Sequence, residues 1–176
     1  MRLEYKNIVV RNATIKDAKQ LEIWWNDGKV MAHACWPLGT GQTEAEIANK
    51  IATDDDFVNR RLIIEYDAKA IGEMNYRNIG NNTAELGIKI CDFSMQNKGL
   101  GKIILSMVIE SLFNDFHFEK IVLDTNLNNQ RAQHVYEQLG FKKVAVNIDS
   151  WKDQLGNLQS SVDYELIYSD FINYKK

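Results

Sequence analysis

The run from Leu100 to Asn114 constrains this chain more than any other segment. Read as a helix, it has one narrow polar stripe, Lys102, Ser106, Glu110 and Asn114, at i, i+4 spacing. The remaining positions are mostly Leu, Ile, Val, Met and Phe. A helix this apolar has to be buried, and it falls short of the ~20 apolar residues that a bilayer crossing needs. The chain must therefore cover it, and a sheet lying along it is the economical solution.

The flanking segments supply the strands. Ile8 to Arg11 reads as a short strand. Thr14-Ile15-Lys16-Asp17 is a variant capping box opening a helix in which Ala18, Leu21 and Trp25 share a face, and Asn26-Asp27-Gly28 ends it. Thr43-Glu44-Ala45-Glu46 is a full capping box for a second helix to about Ile51. Arg61 to Tyr66, Ala70 to Arg77 and Ala84 to Ile90 are three strands joined by short turns. Beyond the apolar helix, Ile121 to Leu123 is a buried strand and Gln130 to Leu139 a helix closed by Gly140. Phe141 to Ile148 and Val162 to Tyr168 are the last strands, with a loop from Ser150 to Ser161 between them. The order β-α-α-β-β-β-α-β-α-β-β predicts an α/β fold of one domain over residues 1–176. Its mixed sheet has about seven strands, flanked by about four helices.

Composition narrows the class. A 45% hydrophobic content excludes a disordered chain. A net charge of −3 without a basic stripe does not favour nucleic acid. The start, Met1 to Tyr5, lacks the apolar run of a secretory signal, so a cytoplasmic, membrane-free protein is expected. Cys35 and Cys91 read as free thiols, and His33, His117 and His134 show no metal spacing, so no metal is expected. Trp24, Trp25 and Trp36 read as core or pocket wall, and Asp54-Asp55-Asp56 as a solvated loop that could instead attract a polycation.

Two segments carry chemistry. Gln96-Asn97-Lys98-Gly99-Leu100-Gly101-Lys102 lies between a strand and the start of the buried helix. Its glycines let the chain turn tightly and let a ligand approach the amides, and the helix N-terminus favours an anion such as a pyrophosphate. It lacks a P-loop ending, and the preceding strands are not a Rossmann unit. About thirty residues later comes Asn129-Gln130-Arg131-Ala132-Gln133-His134-Val135-Tyr136-Glu137-Gln138-Leu139-Gly140-Phe141. The pair, Gln-x-x-Gly-x-Gly then Asn-x-x-Ala-x-x-x-Tyr-x-x-x-Gly-Phe, resembles the GNAT superfamily of N-acetyltransferases. With Trp25-Asn26-Asp27 and Ala84 to Ile88, it is similar to the branch acting on ribosomal-protein alanines and spermidine.

The resemblance implies transfer of an acetyl group from acetyl-CoA by direct attack of an amine. Lys89, Ile90 and Cys91 would meet the pantetheine arm, and Asn97, Lys98, Gly99, Leu100, Gly101 and Lys102 the pyrophosphate. Asn129 would touch the cofactor arm, and an N–H near Ile90 or Cys91 would stabilise the charge developing on the carbonyl oxygen. Tyr136 would act as the acid on the departing thiolate, with Glu85, Asp124 or a water chain as the base. Cys91 is expected to stay a buried thiol, not a nucleophile. The acceptor is a protein N-terminal amine, a small polyamine or an aminoglycoside, and a homodimer is compatible with the class. An acetyl-CoA sensor without turnover is the alternative.

Overall fold

The computed structural model describes residues 1–175. One mixed sheet runs through it, built from β1 (Arg2–Tyr5), β2 (Ile8–Asn12), β3 (Asn59–Tyr66), β4 (Lys69–Asn78), β5 (Thr83–Ile90), β6 (Lys120–Asn126), β7 (Lys142–Lys152) and β8 (Leu158–Ile167). The strands lie in the order β1-β2-β3-β4-β5-β6-β8-β7. All neighbours are antiparallel except β5 and β6, which run parallel. The helices are α1 (Ala18–Trp25), α2 (Gly28–Met31), α3 (Glu44–Ala52), α4 (Leu100–Asn114) and α5 (Gln130–Gln138).

The mixed sheet matches the sequence reading, with one strand and one short helix more. The added strand is β1, whose Arg-Leu-Glu-Tyr alternation is short and half polar. It folds back through Lys6, at φ 52°, onto β2. The added helix is α2, capped by the Asp27 carboxylate on the Lys29 N–H (2.8 Å). Asp27 both follows one helix and starts the next.

Helix α4 is buried as its composition requires, with Ile104, Val108, Ile109 and Leu112 fully enclosed against the sheet. Its polar stripe is covered at Lys102, Ser106 and Glu110, while Asn114 at its end is exposed. Ser106 accepts the Tyr174 N–H (2.9 Å), Glu110 accepts Asn173 Nδ2 (3.1 Å) and pairs with Lys175, and Lys102 sits 4.6 Å from the Tyr174 ring centre. The stripe is the seat of the C-terminal segment. On the opposite face of the sheet, α1 and α3 bury a smaller core of Ala18, Leu21, Trp24, Ile47, Ile51 and Ile63. The inward tryptophan is thus Trp24; Trp25 is half-buried and turned toward β4.

Two loop readings are corrected. The run Asp54 to Asp56 is not a free solvated patch. Asp54, nearly inaccessible, ion-pairs with Arg61 and accepts its N–H (2.9 Å), and Asp56 pairs with Arg60. The segment 150–161 is not an open loop but a hairpin end. Strands β7 and β8 pair out to Lys152 and Leu158, and Asp153 holds the turn by accepting the Leu155 and Asn157 N–H groups (2.9 Å each).

Ile104→Ala would leave a cavity beneath the sheet. It should cost about 3 kcal/mol of unfolding free energy, read by denaturant titration; a change below ~1 kcal/mol would mean that the α4 site collapses without loss.

Candidate active site

Strands β5 and β6 pair only over Thr83–Glu85 with Lys120–Val122, and then diverge. The opening is a cleft of about 1210 Å³. Its edge is bare main chain. The Cys91 N–H donates to Ile71 O (2.8 Å) in the direction of β4. Antiparallel alternation then turns the N–H of Ile88 and Ile90 the other way, into the gap, and keeps the amide of Lys89 on β4.

The start of α4 faces the same opening. Gly99 is the N-cap residue at φ 75°, a left-handed conformation that suits glycine, and no side chain caps the first amides. A Cβ on Gly99 or Gly101 would meet no atom within 4 Å. The space before these amides is open, and the helix dipole makes it electropositive. Asn129 caps α5 by accepting the Ala132 N–H (3.3 Å), and is held by Thr125 (3.3 Å). Gln96 spans the gap. It donates to Ile90 O (2.8 Å) and accepts from Arg131 (2.7 Å), joining the end of β5 to α5.

Tyr136 enters the cleft from α5. Its ring packs on Phe141 and Tyr164, with centroids 5.9 and 5.7 Å away. No protein group among the described residues hydrogen-bonds its hydroxyl. Burial, reinforced by the charge of Asp124, pushes the phenol well above its ordinary pKa, so it stays protonated.

Carboxylates gather on the other face of the sheet. Asp124 and Asp163 are register partners on β6 and β8, and Glu85 pairs laterally with Val122 on β6. Glu85 is bound to Arg77, and Asp163 accepts from Asn147 (2.9 Å). Asp124 has no cationic partner among the described residues. Its pKa is raised by burial first, then by Asp163 and Glu85. Further along the same face, buried Glu73 accepts Trp25 Nε1 (2.8 Å) and Lys89 Nζ (3.0 Å).

Of the expected site residues, Glu85, Lys89, Ile90, Asn97, Gly99, Leu100, Gly101, Lys102, Asp124, Asn129 and Tyr136 all line this cleft. Cys91 does not: its N–H is spent on Ile71 and its buried thiol, pushed up in pKa by desolvation, lies in the α1–α3 core. Lys98 points away and contacts Met95 Sδ (3.7 Å). Lys89 contributes its side chain to the carboxylate face, not its amide to the gap. The reading missed Asp163, Gln96 as a strut, Arg131 and the lining residues His33, Cys35 and Trp151. Alternation in β8, with Val162, Tyr164 and Leu166 buried, carried the signal that Asp163 faces the other way.

The parted mixed sheet, with bare amides on one lip and an uncapped glycine turn on the other, leaves an opening whose free amides suit an anionic ligand. Residues 7–142 match the family model described as acetyltransferase (GNAT) domain. The chain belongs to the GNAT family of acetyltransferases. No curated protein matches it by sequence. Among solved structures, it is similar to the spermidine N-acetyltransferase of Vibrio cholerae in complex with CoA and spermine, at TM-score 0.83 and 20% identity, over 96% of this chain and 100% of that one. A GNAT-family acetyltransferase from Bacillus anthracis aligns at TM-score 0.78 and 16% identity, over 95% and 98%.

Two outcomes test the site. Gly101 sits in the first turn of α4, in open space, where an acidic side chain suits the helix. Gly101→Asp should keep the melting temperature and weaken acetyl-CoA binding at least about tenfold, a loss of ~1.4 kcal/mol, by calorimetry; unchanged affinity would move the donor phosphates elsewhere. For Asp124, the raised pKa means that the folded protein holds its proton more tightly than the unfolded chain does. Stability therefore falls as pH rises through the unfolded and then the folded value. Asp124→Asn should melt higher than wild type at about pH 7 and equal to it at about pH 3, where both forms are neutral; parallel curves at both values would show that Asp124 is not strained by its neighbours.

Proposed function

We propose that the acceptor is a small polyamine, acetylated on a primary amine by acetyl-CoA. The observation that carries this reading is that Asp124 and Glu85 both line the cleft, with Asp163 beside Asp124 in register and Asp124 lacking a counter-ion among the described residues. Like charges held together in a partly dry cleft attract a ligand with more than one positive charge. The similarity in fold to a polyamine acetyltransferase agrees with it. The Asp54 to Asp56 run adds little, because Arg61 pairs with Asp54 and Arg60 with Asp56, leaving only Asp55.

The residues divide the work. Acetyl-CoA supplies the activated acetyl group. The first amides of α4 and the lip amides of Ile88 and Ile90 are free to hold it, the former facing phosphate and the latter amide or carbonyl oxygens. Asp124 and Glu85 hold the acceptor's ammonium and take up its proton, passing it to water. An ammonium of pKa near ~10.4 has no lone pair until that proton leaves. Charge developing on the carbonyl oxygen falls beside the Ile90 N–H, a contribution of ~2–4 kcal/mol for a well-placed donor. Tyr136 gives its proton to the departing sulfur, and its raised pKa keeps that proton available across the working range.

The test is thiol release from acetyl-CoA with a panel of spermidine, spermine, an aminoglycoside and peptides with a free N-terminus. The polyamines should exceed the peptides in kcat/KM by at least about tenfold, the weight of ~1.4 kcal/mol of charge recognition; a peptide that outruns them would overturn the acceptor assignment. Tyr136→Phe should lower kcat by roughly 10–100-fold at unchanged acetyl-CoA affinity, and wild-type kcat in that variant would reduce Tyr136 to packing.

A further inference from the structure

The chain from Gly28 to Gln42 forms the outer wall of the acceptor side of the cleft, where Val30, His33 and Cys35 line it. Its two ends are tied down close to each other. Asn26 accepts the Gly41 N–H (2.7 Å) and donates to Gln42 O (2.9 Å), and the Thr40 N–H reaches Trp25 O (2.8 Å). Gly39, at φ 79°, packs so closely that a Cβ there would lie 2.7 Å from the Asn26 backbone. The middle of the segment has a different anchor, 116 residues away in sequence. Gln154, in the β7–β8 turn, accepts the Leu38 N–H at Oε1 (2.9 Å) and donates from Nε2 to Gly39 O (3.0 Å). Its own N–H donates to Cys35 O (3.3 Å), and Trp151 Nε1 lies against Cys35 Sγ. The side-chain amide of Gln154 thus pairs with the wall as one strand pairs with another.

The turn that presents Gln154 is rigid. Asp153 accepts from the Leu155 N–H, the Asn157 N–H and Gln159 Nε2, each at 2.9 Å. The wall at this point is not relaxed by itself: Cys35 adopts φ 72°, a left-handed conformation disfavoured for a residue with a Cβ. The clasp, like the turn that presents it, lies at the surface, and its bond to the Leu38 N–H is exposed to solvent. Exposed hydrogen bonds contribute little net free energy, so such a clasp opens and closes readily.

We infer that Gln154 is a positioning residue for the acceptor: it fastens the 28–42 wall to the β7–β8 hairpin and closes the cleft around a bound amine. This rests on the acetyl-transfer reading, but not on which amine is the acceptor. A ligand that binds only the closed form has its apparent affinity reduced by the fraction of time the wall is open. The donor side shares no atom with the clasp, so acetyl-CoA should not sense it.

Gln154→Ala, an exposed substitution, should keep the melting temperature, kcat and the KM of acetyl-CoA within about twofold. The KM of the acceptor, whichever amine the wild-type protein acetylates, should rise about tenfold, the size expected from losing two such hydrogen bonds. Amide hydrogen exchange at Leu38 should quicken in the same variant, with or without substrates. Gln154→Glu, which keeps the Leu38 acceptor but sets a carboxylate against Gly39 O, should not restore the KM. Faster exchange at Leu38 with an unchanged acceptor KM would overturn the proposal, as would unchanged exchange, which would mean that the clasp does not form in solution. Absence of turnover with every amine in wild type would instead defeat the acetyl-transfer reading, and the exchange result would still report on the clasp.

Discussion

Everything in this molecule turns on a sheet that begins a parallel pairing and abandons it. Three residues of β5 meet three of β6, and beyond Glu85 and Val122 the strands part. Main-chain groups left without a strand partner are costly unless something else meets them. Here Gln96 meets one of them, the carbonyl of Ile90, and the others face a cleft large enough for a ligand. The parting is sustained from both sides. Helix α4 packs its apolar surface into the core on one face of the sheet, and α5 brings Tyr136 to the opening, braced by Phe141 and Tyr164.

The two faces of the sheet then divide the chemistry. The face under α4 and α5 offers amides, a glycine turn and basic side chains. The other face offers carboxylates, one of which, Asp124, is uncompensated. Tyr136 sits between them, close enough to Asp124 for that charge to be felt by its phenol. A proton leaving an amine on one side and a proton arriving at a sulfur on the other would be handled within one opening. The cations of the N-terminal half are largely consumed by internal pairing. Arg11 is shared by Asp17 and Glu65, Arg60 and Arg61 by Asp56 and Asp54, and Lys89 by Glu73. On the carboxylate face of the cleft, Asp124 is the group left without a cation among the described residues.

The legible parts of the sequence were those written in local periodicity. The unbroken apolarity of Leu100 to Asn114 required a covered helix, and the capping boxes at Thr14 and Thr43 are formed as read. The glycine turn and the Asn129 to Phe141 segment converge on one cleft. What was not legible depends on partners distant in the chain or on strand direction. The register that sets Asp163 beside Asp124 joins β6 to β8 past the intervening β7. The burial of Asp54 depends on Arg61 curling back, so three adjacent aspartates looked like a solvated run. Cys91 sits in the expected place along β5, but only the hydrogen-bond phase of the β4–β5 pair shows that its amide points away from the gap. Periodicity names the face a side chain takes; it is silent on which strand an amide serves.

The lip of β5 and the first turn of α4 act through backbone amides, which every residue except proline possesses. The opposing wall offers the particular side chains of Asp124 and Glu85. Substitution can therefore redraw the second without touching the first. On the proposed division of roles, a lineage built on this plan could exchange one acceptor for another by ordinary point mutation while its hold on the donor persisted through deep sequence drift. That asymmetry makes the architecture evolvable.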